Sequence, residues 1–224
     1  MSDPIIHPSA RIADDVHIGP YVVIGPNVVI ESGVRLEAFI SIGSPPEYRG
    51  LLHDAGPHGV HIGRNTVVRE FTTLHAGTRR PTVVEDEVLV MNHVHIGHDC
   101  RVGSGTSVAP MSVVGGHVYV GPGANIGLAT VIHQFRSVGA FTMVGMNSAV
   151  TRDLPPFVIA TGSPARPQRV NEVGISRAGL ATGAVERWWA AHSAGDPSAG
   201  AHLPVDEHEL LRRWEEAVAE GSRG

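Results

Sequence analysis

Across residues 84–150 an aliphatic residue falls at every sixth position without a miss: Val84, Val90, Ile96, Val102, Val108, Val114, Val120, Ile126, Ile132, Val138, Val144 and Val150. The fourth residue after each is usually small or β-branched, as at Val88, Val94, Cys100, Thr106, Ser112 and Val118, and glycine often follows the aliphatic residue. The same period runs earlier through Ile6, Ile12, Ile18, Ile24, Ile30, Leu36 and Ile42, and again through Ile62, Val68 and Leu74. A helix repeats about every 3.6 residues and a half-buried strand every second one, so neither keeps this rhythm. A hexapeptide repeat does, and it predicts a parallel β-helix. Six residues make one side of a triangular coil, so residues eighteen apart stack about 4.8 Å from one another on successive turns.

The rhythm breaks twice. SPPEYRGLLHDAGPHGV, residues 44–60, is rich in proline and glycine and predicts a loop projecting from a corner. AGTRRPTV then shifts the phase by four residues. A solenoid tolerates interruptions only at corners, and such loops are its usual functional parts. Gly19, Gly25 and Gly43 sit where corners need unusual backbone angles. The repeat ends near DLPPF, because Pro155 and Pro156 cannot continue a ladder. TGSPARPQRVN follows as an extended segment, then amphipathic helices over about 184–192 and 207–219. Asp206 with Glu209 reads as a capping box. The expected organisation is a solenoid over 1–156 and an extended segment with a helical cap over 157–224, the helices covering the open end of the coil.

Composition narrows the function. The chain has 224 residues with only 5% aromatics, which suits thin stacked coils. A net charge of -5 argues against a nucleic-acid binder. The single cysteine, Cys100, excludes an internal disulfide and fits a reducing, cytoplasmic compartment. The start MSDPIIHPSA has neither the basic end nor the apolar run of a signal peptide or membrane span. Flat apolar sides predict self-association.

The candidate chemistry lies among the 14 histidines. NHVHIGHDC puts His93, His95 and His98 in one coil with Asp99 adjacent. Gly116 and Gln134 follow His98 at steps of eighteen, with His117 and His133 beside them, so one column should carry all of these. A neutral histidine can take a proton from an attacking hydroxyl. A carboxylate can fix its tautomer, and a bare glycine N–H can hold an oxyanion. Together these are the parts needed for acyl transfer. Neighbours on a strand point to opposite faces, so the His98–Asp99 pair works only at a corner. Cys100 falls in an inward slot and reads as core.

The hexapeptide run together with NHVHIGHDC, VVGGHV, VIHQF and DLPPFVIATGSPARPQRVN resembles the UDP-N-acetylglucosamine 3-O-acyltransferases of lipid A biosynthesis, over residues 5 to about 180. The resemblance implies a left-handed parallel β-helix, an exception to right-handed crossovers. It also implies a cytoplasmic homotrimer with sites in the clefts between subunits. The donor would be a phosphopantetheine thioester on acyl carrier protein, with no bound cofactor and no metal. Carried over, His98 would be the general base, Asp99 its orienter and Gly116 the oxyanion donor. His95, His117, His133 and Gln134 would line the cleft, Met146 would shorten the acyl pocket, and Asn171 and Arg177 would meet the nucleotide.

Some positions depart from the family pattern. His93 replaces an asparagine and Val173 an acidic residue, while Glu47 with Arg49 stands in for the loop's Asp-x-Lys. Arg136 occupies an inward slot, where it must bend out or find a partner. A coenzyme A-dependent acyltransferase on another nucleotide sugar or a natural-product acceptor is the nearest alternative. A γ-carbonic-anhydrase-like zinc enzyme would use His93, His98 and His75. A non-catalytic scaffold is the third.

Overall fold

In the computed structural model, which describes residues 3–49 and 58–221, the chain winds into a left-handed parallel β-helix of about 8 turns. Its three faces are sheets of eight, seven and nine strands. The first face contains His95–Ile96 and Val113–Val114, the second Arg101–Val102 and Tyr119–Val120, and the third Ser107–Val108 and Asn125–Ile126. His95 pairs with Val113 and Val113 with Val131, the eighteen-residue register expected from the repeat.

The repeat residues build the core. Val108, Val114 and Val120 have no exposure, and the inward slots Cys100, Thr106, Ser112, Val118 and Thr130 are buried too. A buried hydroxyl must find a partner. Here the hydroxyls of Thr106, Ser112 and Thr130 donate to the carbonyls of Gly121, Gly127 and Gly145, closing successive corners. The Cys100 thiol does the same to Gly115, and burial pushes its pKa up to about 12.

Corner geometry differs from the expectation. Gly43 is left-handed at φ 77°, but Gly19 and Gly25 are not among the positive-φ residues. They are required for close approach instead: a Cβ on Gly25 would lie 2.4 Å from the carbonyl oxygen of Gly43. Most left-handed corners are held by other residues, among them Phe39, Asn65, Asp99, His117 and Phe135. Such a backbone costs roughly 1–2 kcal/mol per residue, and it persists because the strands on both sides over-determine it.

Both breaks in the rhythm fall on one edge, between the first and second faces. Ser41 pairs with Thr73 across the insertion and Thr73 with His95 across the phase shift. Residues 76–81 therefore bulge directly beside the corner at 97–100. At the other end the coil runs past residue 156. Leu154 bridges to Val138, Pro155 and Pro156 take the corner, and Val158–Gly162 resumes parallel to Met143–Val144. The prolines are harmless there because a corner needs no ladder N–H. Ala165–Val170 then turns back antiparallel.

Three α-helices follow: α1 (Glu172–Arg177), α2 (Thr182–Ser193) and α3 (Val205–Gly221). α1 was not expected; Asn171 caps it through the N–H of Gly174. Nor do the helices only cover the open end. Trp188, Ile175, Val185 and Leu211 form a second core around Phe157. From there α3 runs back along the second face, where Glu220 meets Arg80 at 3.0 Å. The expected capping box is absent too, since α3 already begins at Val205 and Glu209 pairs with Arg212 and Arg213. Among the described residues no helix is long and apolar enough to cross a membrane.

Two glycines separate the corner effects. A Cβ on Gly103 would lie 2.5 Å from the backbone nitrogen of Pro122, whereas one on left-handed Gly105 meets nothing within 4 Å. Gly103→Ala should destabilise by about 1–3 kcal/mol. Gly105→Asn should stay within about 0.5 kcal/mol, because Asn65 holds the equivalent corner at φ 55°. Unfolding midpoints of the two variants check this; equal losses would contradict it.

Candidate active site

The corner at 97–100 sets His98 and Asp99 side by side. Asp99 adopts φ 61°, which takes the pair out of strand alternation. His98 Nδ1 then lies 2.7 Å from Asp99 Oδ2. The carboxylate has no exposure. It also accepts the backbone N–H groups of Thr78, Arg79 and Arg80 and the hydroxyl of Thr78. Burial alone would raise its pKa, but the bonds from His98 and these three N–H groups outweigh it and hold the carboxyl well below the usual carboxylate range.

An ionised carboxylate only accepts, so Nδ1 of His98 carries the proton and Nε2 of the neutral ring is free. That nitrogen faces Gly116 on the next turn: a Cβ there would lie 2.7 Å from Nε2. Among the described residues the Gly116 N–H has no acceptor, while its carbonyl accepts from Phe135. An imidazole and a bare amide thus share one edge. His117 lies edge-on to His98 at 4.9 Å between ring centroids and stacks on Phe135 at 4.5 Å. Burial lowers its pKa, the Asp99 charge opposes that, and His98, Arg79 and Arg80 add to it. His133 and Gln134 are exposed on the turn beyond.

His95 lies on the first face beside this edge. Its Nδ1 meets the Thr73 hydroxyl at 3.0 Å, and its Nε2 meets Glu47 at 3.4 Å. Burial lowers the His95 pKa against the pull of Glu47. Arg49 is exposed, and residues 50–57 of the loop lie outside the described residues. A cavity of about 610 Å³ between α3 and the second face backs onto His117 and Phe135, with Arg79, Arg80 and Arg212 in its wall.

Other expected site residues are elsewhere on the chain. Met146, 67% exposed, sits on the edge between the third and first faces. Asn171 donates to the Phe141 carbonyl at the edge between the second and third faces, and Arg177 is exposed at the end of α1. One chain therefore does not bring these three to His98. Nor does one chain bring the zinc-enzyme residues together, because His93 stacks on Phe71 on the edge that carries Met146. Arg136 finds Asp153 at 3.4 Å. Sequence reasoning missed Thr78, Arg79 and Arg80 as the anchor of Asp99; the four-residue phase shift was their one signal.

A β-helix with these groups along one edge defines a hexapeptide-repeat transferase. The family described as bacterial transferase hexapeptide (six repeats) matches residues 1–44 and 81–116. The acyl-[acyl-carrier-protein]–UDP-N-acetylglucosamine O-acyltransferase of Thiobacillus denitrificans is 38% identical over 202 residues, 81% of this chain and 78% of that protein. The enzyme of the same name from Paraburkholderia phymatum is 35% identical, covering 81% and 76%. Among solved structures, LpxA from Acinetobacter baumannii superposes with a TM-score of 0.80 at 29% identity over 96% of each chain. The UDP-N-acetylglucosamine acyltransferase of Francisella novicida gives 0.75 at 28% over 83% and 76%. The chain belongs to the acyl-[acyl-carrier-protein]–UDP-N-acetylglucosamine O-acyltransferase family.

The Asp99 bonds make stability depend on acid. An unfolded aspartate titrates near 3.9, and the folded carboxyl titrates below that. Its contribution is whole above about pH 4 and is lost as pH falls further. Asp99→Asn should destabilise the fold at neutral pH by about 1–3 kcal/mol, read from its unfolding transition, and flatten the acid decline. A variant with the parent's acid profile would contradict this.

Proposed function

We propose that the chain moves an acyl group from an acyl carrier protein thioester to a hydroxyl of UDP-N-acetylglucosamine, with His98 as general base. The observation that carries the reading is the imidazole held through Nδ1 by Asp99, with its free Nε2 turned toward the amide of Gly116. Family membership supports the substrates.

Nε2 takes the proton of the sugar hydroxyl as its oxygen attacks the thioester carbonyl. Asp99 steadies the imidazolium that forms. The Gly116 N–H holds the tetrahedral oxyanion. Collapse forms the ester and breaks the C–S bond, and the departing pantetheine thiolate takes the proton back from His98. The pantetheine arm comes with the donor, so the steps use no resident cofactor or metal. Both substrates belong to the cytoplasm, which is the location this reading carries.

The working unit is a homotrimer. Met146, Asn171 and Arg177 lie on other edges than His98, so they can meet substrate at His98 only if supplied by a neighbouring copy. The apolar side chains for such contact are present: Tyr21, Phe39 and Phe71 stack in a ladder, with exposed Met111, Val113 and Val131 beyond it. In that cleft His95, His117, His133, Gln134, Glu47 and Arg49 hold sugar and pantetheine, Asn171 and Arg177 meet the nucleotide, and Met146 limits chain depth.

Purified protein given acyl carrier protein thioesters and UDP-N-acetylglucosamine should form the ester; activity with coenzyme A thioesters alone would reassign the donor. His98→Ala should lower kcat by about 10²–10⁴-fold with unchanged circular dichroism, and a near-parental rate would remove the base assignment. Met146→Gly should shift donor preference toward longer chains; an unchanged chain-length profile would reject the depth role.

A further inference from the structure

Beside the catalytic edge lies a second polar cluster, which acyl transfer does not require as a unit. Glu47, His75 and His95 each offer one ligand atom, and those atoms lie within 4.8 Å of one another. They reach this point from three segments. His95 opens a first-face strand, His75 ends the strand before it where the register shifts, and Glu47 stands at the start of the inserted loop.

The outer contacts aim both rings. His75 Nδ1 lies 2.7 Å from the Pro45 carbonyl, which can only accept, so Nδ1 carries the proton and Nε2 presents a lone pair. His95 Nδ1 is held by the Thr73 hydroxyl at 3.0 Å, and its Nε2 faces the Glu47 carboxylate at 3.4 Å. The ring centroids are 5.0 Å apart and tilted by 53°, so the rings converge rather than stack. Two imidazoles, each oriented through its other nitrogen, and one carboxylate make the donor set of an open divalent site.

We propose that Glu47, His75 and His95 bind a divalent transition-metal ion of the zinc type at the mouth of the cleft, tying the start of the inserted loop to the coil. The neighbouring group of His98, Asp99 and His117 is also close enough to hold an ion, but its carboxylate is committed. Nδ1 of His98 is bonded to Asp99, and that carboxylate already accepts four further hydrogen bonds from residues 78–80. In the Glu47 group, among the described residues, only the long 3.4 Å contact between His95 and Glu47 engages the ligand atoms, and the exposed carboxylate can close on an ion. The ion is no part of the acyl-transfer steps, so the inference stands apart from the proposed function. Because it shares Glu47 and His95 with the sugar cleft, occupancy should raise KM for the nucleotide sugar more than it lowers kcat.

The test is cobalt(II) titration of the purified full-length protein, followed by visible absorption, with zinc competition and equilibrium dialysis for stoichiometry. One saturable ion per chain is expected, displaced by zinc. His75→Ala and Glu47→Gln should each weaken binding by about tenfold or more with an unchanged unfolding midpoint, while His98→Ala should bind as the parent does. No saturable signal, a signal that survives His75→Ala, or one lost in His98→Ala would overturn the proposal. If acyl transfer proved absent while the ion bound, the functional reading alone would fall.

Discussion

A buried carboxylate is tolerable only when hydrogen bonds replace the water it has lost, and Asp99 shows how this fold meets that demand. Its side chain has no exposure. It collects the N–H groups of a bulge four residues longer than the repeat, together with the hydroxyl of Thr78 and the ring of His98. The same bonds that keep the charge inside therefore fix the bulge at 76–81 and the tautomer of the imidazole. Local stability and local chemistry rest on one group.

The coil supplies the remaining geometry. Because successive turns stack in strict register, the His98 imidazole on one turn and the Gly116 amide on the next meet without any long-range loop having to fold over them. The cost is tightness. Gly116 must lack a side chain because the ring of His98 already fills the space one would need. The three edges also divide the work. One carries His98 and the bare amide of Gly116, a second carries Met146 and the exposed aromatic ladder, and a third receives α1 through Asn171 and Phe141. A single prism presents these parts on separate edges, and only packing between prisms can unite them.

The repeat is legible residue by residue because its aliphatic positions from Ile24 to Val150 all face the same narrow core and are buried. The column of His98, Gly116 and Gln134 follows from that by counting. Left-handed corners are not legible, since Phe39, Asn65, Asp99 and His117 share no side-chain chemistry and are held by the flanking ladders. The reading of Gly19 and Gly25 as left-handed failed for that reason: their role is contact with the next turn. The course of α3 was hidden too, because it depends on tertiary contacts such as Arg80 with Glu220 rather than on any local signal. Met146 and Asn171 could be placed along the chain by motif, but which edge they occupy is a property of the wound coil.

Nitrogen NMR of the protein labelled with ¹⁵N-histidine tests the central relation most directly, with Asp99→Asn used to assign the His98 signals. The account predicts that the neutral form of the His98 ring keeps its proton fixed on Nδ1 and leaves Nε2 bare. A ring protonated on Nε2, or one exchanging freely between the two forms, would contradict it.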